Sequence, residues 1–342
     1  MTIRWGFLGA GSIASSSLGP AVRAARGNAL HAVASRDERR AAALGPQRTY
    51  HEYAHLLEDP DVDAVYVCLH NNAHLQWVVA ALEHGKHVLC EKPLGLTQAE
   101  VADMAAAAAA SQRLLVEAAW NRWHPRTRAA EELLAAGVLG QIQHVTARFN
   151  GATPAVGNYR RDTALGGGAL WDVGCYAIAG ALPAMGWQTP TAVRATMTYW
   201  AGSDGGDADV ATEAWLAFGQ TATAHITAAL DGRDEQFLEV RGSQGLLRLP
   251  HPAFTAGTHP TALHLAVDGQ SPREINYPAT DPYRLMVEAF GKAIRDESTW
   301  LVPLEQSAAV ARTIDDVRYA SGAAVSRPIP PFRPPRQAPA RR

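Results

Sequence analysis

Gly9-Ala10-Gly11-Ser12-Ile13-Ala14, set directly behind the apolar stretch Ile3-Arg4-Trp5-Gly6-Phe7-Leu8, constrains this chain more than any other feature. The stretch reads as a strand, and the glycine pair behind it demands a tight turn into a helix. Gly9 permits the turn, Gly11 lets the backbone approach a pyrophosphate, and small Ala14 lets the helix pack on the strand. The helix N-terminus then faces the anion. Glycine pairs after apolar runs are common. Here the context is a strand before, a helix after and a position at the start of the chain, which is what a dinucleotide site requires. Gly9, Gly11, Ser12, Ile13 and Ala14 are its expected contacts.

The next strand, Leu30 to Ala34, ends in Ser35-Arg36, with Asp37 one step on and Arg39-Arg40 on the following turn. An acid at that tip would bond a ribose 2′-hydroxyl. A guanidinium instead pairs with a 2′-phosphate, and a serine hydroxyl can donate to it. Ser35, Arg36 and Arg40 therefore favour NADP over NAD. The plainer reading is a solvated helix start with Asp37 as its N-cap.

Strand and helix alternate onward. Ala64 to Leu69 suits a strand buried on both faces, followed by a helix from near Ala73 to Glu83. Leu69, His70, Asn71 and His74 fall beside the expected cofactor. His70 and His74 are four apart but have no convergent acid or cysteine, so no metal is expected. Strand 87–90 ends in Glu91-Lys92-Pro93. Proline lacks an N–H and restrains the residue before it, which holds Lys92 at the strand tip. Thr97 caps an alanine-rich helix, with Glu100 completing a capping box. Leu114 to Ala118 is a further parallel strand and ends in a cluster that includes Trp120 and Arg122.

Hydrophobic residues make up 47% of the 342 and charged ones 19%, enough for two cores. The net charge of −2 is spread along the chain, which suggests no nucleic-acid or membrane surface. No apolar run is expected to span a bilayer, and no secretory signal precedes the first strand. Cys68, Cys90 and Cys175 lack metal spacing and read as reduced thiols of a cytoplasmic protein. Residues 1–123 are expected to form the dinucleotide domain, 124–325 a substrate and oligomerisation domain, and 326–342 a mobile Pro/Arg-rich tail.

The second half opens with a helix at 126–136. Strands are expected at 141–149, 193–200, 210–218, 222–230, 237–241 and 246–249, separated by turn signals, which suggests a mostly antiparallel sheet. Among them lies Gly166-Gly-Gly-Ala-Leu-Trp171-Asp172-Val-Gly-Cys-Tyr176. The glycines would let backbone approach a ligand, and the helix behind them places Asp172 and Tyr176, four apart, on one face. A dipole-favoured aspartate and a merely packed tyrosine are the plainer reading of that pair. Helices from Pro282, capped by Asp281, and from Pro303 complete the chain.

Taken together, Gly9–Ala14, Glu91-Lys92-Pro93 and the Gly166–Tyr176 segment resemble the glucose-fructose oxidoreductase/inositol dehydrogenase (GFO/IDH/MocA) family over roughly Ile3 to Pro328. The resemblance implies an α/β fold: an N-terminal Rossmann parallel sheet and a C-terminal α+β domain with a large open, mostly antiparallel sheet. That open sheet often forms a homo-oligomer interface, as a dimer or tetramer. The implied reaction is hydride transfer between nicotinamide and a secondary alcohol of a sugar or related diol. Many members carry histidine where this chain has Tyr176. Tyrosine resembles the branch of NADP-dependent xylose dehydrogenase and dihydrodiol dehydrogenase. Lys92, Tyr176 and Asp172 are then the catalytic candidates, Tyr176 taking the hydroxyl proton if a cation lowers its ordinary pKa of ~10. The division of that work between Lys92 and Tyr176 stays open. Glu91 and Lys92 also border the cofactor, and Trp120, Arg122, Tyr159 and Arg161 are weaker candidates for the substrate wall. A nucleotide-linked keto-sugar reductase and a non-catalytic NADP-binding regulator are the alternatives.

Overall fold

The computed structural model describes residues 1–200 and 206–323, so the Pro/Arg tail expected at 326–342 lies outside the described residues. The chain divides into two units that are not simple halves. The first comprises Met1–His124 with Thr280–Ala308, and the second Pro125–Ala279 with the remainder. The expected domains are each continuous in sequence. The structure instead returns the helix from Pro282 to the first unit, where Phe290 packs its ring 5.2 Å from that of Trp5.

In the first unit, β1 (Ile3–Leu8), β2 (Asn28–Ala34), β3 (Arg48–Tyr50), β4 (Ala64–Val67), β5 (His87–Cys90) and β6 (Leu115–Glu117) form one sheet in the order β3-β2-β1-β4-β5-β6. Every pairing is parallel, so all the carboxyl ends share one edge. β1 and β4 are buried along nearly their whole length, which is why they read as continuous apolar runs. Phe7 and Tyr66 meet edge to face in that core at 5.1 Å. β3 escaped the sequence reading because Arg-Thr-Tyr is short, polar and at the sheet's margin. Helices α1 (Gly19–Ala24), α2 (Glu38–Ala43), α3 (Tyr53–Leu57), α4 (His74–Glu83) and α5 (Gln98–Ser111) form the crossovers.

The second unit opens with α6 (Pro125–Ala135) and builds an eight-stranded sheet, β14-β13-β12-β11-β7-β10-β9-β8. Its strands are β7 (Ile142–Asn150), β8 (Ala192–Tyr199), β9 (Asp209–Phe218), β10 (Ala222–Ala229), β11 (Glu235–Gly242), β12 (Gly245–Leu249), β13 (Thr261–Val267) and β14 (Arg273–Tyr277). Only the central β7–β10 pair is parallel. Between β7 and β8 lies α7 (Cys175–Ala181), entered through a wide π-type turn at Leu170–Gly174. One helical run, Thr163–Met185, is long and apolar enough by length and composition to cross a membrane, contrary to expectation. Most of its apolar window, 78%, is buried within the protein, packed on β7, β9 and β10, where its apolarity serves the core. α8 (Pro282–Ile294) follows, with Asp281 accepting from the N–H groups of Tyr283 and Arg284 as expected of a cap. α9 (Leu304–Ala320) ends the described chain.

Candidate functional site

The turn after β1 has the geometry its glycines predict. Gly9 sits at φ 103°, and a Cβ there would stand 2.8 Å from the Cys68 carbonyl oxygen, so only glycine fits. Around Gly11 the opposite holds: a Cβ would meet no protein atom within 4 Å. Ala14 is fully buried, and the helix behind opens with a π-type turn over Ala14–Leu18. Ser12 is exposed and Ile13 partly so. Open space over Gly11 at a helix start is the cradle that a dinucleotide pyrophosphate needs, so the residues fit the expected cofactor.

At the β2 tip, the buried Ser35 Oγ accepts from the Asp37 N–H at 3.1 Å. Arg36 is exposed, with its guanidinium beside the Tyr53 hydroxyl. Asp37 does cap α2, accepting from Arg40 N–H at 3.1 Å, and its carboxylate also pairs with the Arg40 side chain at 3.3 Å. The plain helix-start reading is thus realised for Asp37 and Arg40, while Arg36 points away from that cap pair.

The β5 tip is built quite differently. Lys92 is half-buried and hemmed by anchors on its own unit. Glu91 N–H donates to Val67 O at 3.0 Å, and Lys92 N–H donates to Glu91 Oε2 at 3.3 Å. The Glu91 carboxylate is buried and accepts from the Tyr66 hydroxyl. The Glu91 carboxylate is therefore engaged within the first unit's own packing. His74 is wholly buried, Nδ1 at 3.0 Å from Pro93 O and Nε2 at 3.3 Å from Leu69 O. His74 thus stands as a clamp on the Lys92-Pro93 segment, beside the edge where the cofactor is expected. Burial lowers its pKa to about 4, against the carbonyls of Pro93, Leu69 and Leu94, which act to raise it. Leu69 and His70 remain part-exposed at the same edge, and Asn71 is buried.

In the second unit the glycine run serves protein rather than ligand. A Cβ on Gly167 would collide with the main chain of Tyr159–Asp162, and one on Gly168 with the Asp209 carboxylate. That close approach lays Arg160 against Asp172, with Nε donating to Oδ2 at 2.7 Å. Arg160 also lies over the Tyr159 ring at 4.8 Å and within electrostatic reach of Tyr176. Tyr176 is 8% exposed, its ring 5.4 Å from Phe149.

The sequence reading named Arg161 and missed Arg160. Arg161 stacks on Trp200 at 4.1 Å and donates to Pro154 O. Which of two adjacent arginines turns inward depends on the 3-10 turn at Tyr159–Arg161, a detail without a composition signal. Trp120 and Arg122 are buried. Trp120 stacks on Tyr283 at 4.7 Å, and Arg122 lies over Trp300. A sequence signal for Lys92 was available: of 31 basic residues only three are lysines, Lys86, Lys92 and Lys292. Lysine titrates where arginine does not, so its use at a strand tip in an arginine-rich chain points to chemistry. His31, Asp59 and Asp61 converge closely enough for a cation, but Arg48 bridges both acids and Arg4 pairs with Asp61, which supplies the counter-charge.

Two family models match the chain. One, described as an oxidoreductase family with an NAD-binding Rossmann fold, covers residues 3–118, and the other, the GFO/IDH/MocA C-terminal domain, covers 127–248. A D-xylose 1-dehydrogenase (NADP(+)) of Haloferax volcanii is 39% identical over 94% of this chain and 98% of its own. Trans-1,2-dihydrobenzene-1,2-diol dehydrogenase of Bos taurus is 29% identical over the same shares. Among solved structures, KijD10, a 3-ketoreductase from Actinomadura kijaniata in complex with NADP and TDP-benzene, matches with a TM-score of 0.83. It is 31% identical, and 94% of this chain and 98% of that chain are covered.

Proposed function

Because the chain belongs to the GFO/IDH/MocA family of oxidoreductases, we propose that it is an NADP-linked dehydrogenase of aldoses or related diols. The observation that carries the reading is the Asp172–Arg160 pair set beside Tyr176 on a helix that the glycine run allows to pack so closely. A bound NADP supplies the hydride acceptor. Gly9, Gly11 and the helix start hold its pyrophosphate, and Arg36 with Ser35 takes the 2′-phosphate. Tyr176 moves the hydroxyl proton, Lys92 furnishes the positive charge that favours its loss, and Asp172, fixed by Arg160, orients a substrate hydroxyl. A paired carboxylate of this kind is a better fixed acceptor than a mobile one, since its rotamer is set before substrate arrives.

The test is a panel of aldoses, polyols and diols followed by NADPH absorbance, run on the native protein and Tyr176→Phe. Phenylalanine keeps the ring against Phe149 and removes only the phenolic oxygen. The expected result is a kcat lower by about 10²–10⁴-fold with NADPH affinity unchanged. Near-normal kcat would take the tyrosine out of the chemistry. A reductase of nucleotide-linked keto sugars is the second reading, favoured by the 31% identity to KijD10; including a TDP-linked 3-keto sugar in the panel separates the two.

We further infer a homo-oligomer, dimer or tetramer, through the second sheet. α6, α7 and the turn before α7 pack on one face of it. The other carries part-exposed Arg148, Glu213, Trp215, His225 and Glu239, with Trp215 stacked on His225 at 5.0 Å. Light scattering on the purified chain tests this, and a monomer at micromolar concentration excludes it. The three free thiols suit a reducing compartment such as the cytoplasm.

A further inference from the structure

Beyond Pro93 the main chain is caught once more. Leu94 N–H donates to Glu117 Oε1 at 3.0 Å. Glu117 is the last residue of β6 and the register partner of Cys90 on β5, so its carboxylate stands one strand over from the tip that carries Lys92. It is 6% exposed, and Glu91 is 8%. Burial raises the pKa of both acids. For Glu91 the Tyr66 hydroxyl, the Lys92 charge and the Lys92 N–H work against that rise. For Glu117 the Ser307 hydroxyl, the Leu94 N–H, Arg122 and Lys92 do so. Within the first unit the other titratable groups at this tip are the neutral His74, the phenol of Tyr66 and the thiols of Cys68 and Cys90, which burial pushes up. Two buried acids thus lie within electrostatic reach of Lys92, and Glu117 also of Arg122, where an uncompensated charge of either sign gives up its ionised form.

We propose that Glu117 is a positioning residue for Lys92: it pins the turn that follows the lysine and supplies buried counter-charge that keeps the ammonium protonated. Glu91 shares this task from the β4 side, its Oε1 accepting from the Tyr66 hydroxyl and its Oε2 from the Lys92 N–H. Glu117 acts from the other side, and its bond to Leu94 fixes the chain on the far flank of Pro93. The lysine is then held from both directions and its charge is matched in place. This assignment rests on the reading of Lys92 as a chemical group only where turnover is measured.

The chain's three lysines make the test direct. Protein labelled with [ε-13C]lysine gives three signals, and Lys92 is assigned by its loss in Lys92→Met. Titration of the full chain by NMR then reads its protonation without substrate. In the native protein Lys92 should keep its ammonium form through neutral pH despite its partial burial. In Glu117→Gln, which keeps an oxygen for Leu94 N–H but removes the charge, the Lys92 pKa should fall by about 1–3 units. Lys86, bonded to the Asp59 and Val62 carbonyls, and exposed Lys292 should not move. Glu117→Asp should recover most of the shift, and the pH profile of kcat should follow the NMR values. A Glu117→Gln protein with native Lys86 and Lys292 signals and an unmoved Lys92 would reduce Glu117 to a structural anchor. A native Lys92 that titrates near pH 7 overturns the proposal even if the variant fails to fold. If Lys92→Met still turns over, the functional reading fails while the NMR titration still decides the counter-charge.

Discussion

Two strand tips on the same edge of the first sheet each present a cation, and they hold it in opposite ways. Arg36, behind β2, is exposed, and the hydroxyl of Ser35 caps the turn behind it. Lys92, behind β5, is pinned through Glu91, Pro93 and Leu94 to residues of β4, α4 and β6. Water and salt screen an exposed charge, so in the proposed role Arg36 would act mainly once a phosphate settles on it. A charge held in low dielectric acts on its neighbours all the time. On the proposed reading the β2 tip serves affinity and selectivity, while the β5 tip is organised by contacts within the protein.

The clamp behind the β5 tip should show the largest effect on stability. His74 is neutral and buried, with a pKa lowered by burial from 6.5 to about 4. Below pH 6.5 the unfolded chain takes up a proton that the folded chain refuses, so stability falls as pH drops from 6.5 toward 4. Below about 4 both states are protonated and this loss stops. Full protonation linkage of that size amounts to about 3 kcal/mol. His74→Gln can still donate to one of the two carbonyls but does not titrate. Urea midpoints at pH 7.5, 5.5 and 4.5 should show the variant weaker at the highest pH and flatter across the range. Parallel losses in both proteins would mean that the pH dependence arises elsewhere and that the β5 tip is less rigidly built than argued.

The β2 tip should respond to cofactor and salt instead. A charge-assisted bond to phosphate contributes about 1.5–3 kcal/mol, so Arg36→Ala should weaken NADPH binding by roughly 10- to 150-fold and leave NADH almost untouched. Fluorescence titration of both cofactors measures this. Raising the salt toward 1 M should shrink the native preference for NADPH, because the exposed pair is screened. Equal losses for the two cofactors would remove Arg36 from the 2′-phosphate and erase the contrast between the tips.

Both tips were legible in the sequence, but to different depths. Gly9, Gly11 and Ser35-Arg36 declare their task through local chemistry, because glycine conformation and strand-end position are properties of adjacent residues. Lys92 and Pro93 likewise mark a strand end. Glu117 and His74 do not declare theirs: a glutamate ending an edge strand and a histidine opening a helix acquire their roles only when β4, β5 and β6 stand side by side. Arg160 was hidden for the same reason, since the pairing with Asp172 depends on Gly167 admitting the 159–162 backbone. β13 and β14 went unread because Thr261–Val267 and Arg273–Tyr277 leave much of their length part-exposed or exposed at the sheet margin. Local grammar reached the motif residues and stopped at contacts made across strands.

The smallest expected effect tests whether the β5 tip relies on what comes after it. Thr97 caps α5, its Oγ1 accepting from Glu100 N–H at 3.2 Å. Glu100 does not complete the reciprocal box with the cap residue. Its Oε2 accepts instead from Leu96 N–H at 2.7 Å, one residue earlier. The bond therefore ties the helix to the segment leading back to Lys92. Thr97→Ala leaves a helix N–H without its partner and should cost about 1 kcal/mol, while Thr97→Ser should cost little. Because the lysine has its own anchors through Glu91, His74 and Glu117, kcat and NADPH affinity should stay within about twofold in both variants. Thermal midpoints paired with steady-state kinetics make the check. A Thr97→Ala protein that loses tenfold or more in kcat at nearly native stability would show that the helix start, rather than the buried carboxylates and histidine, holds Lys92 in place.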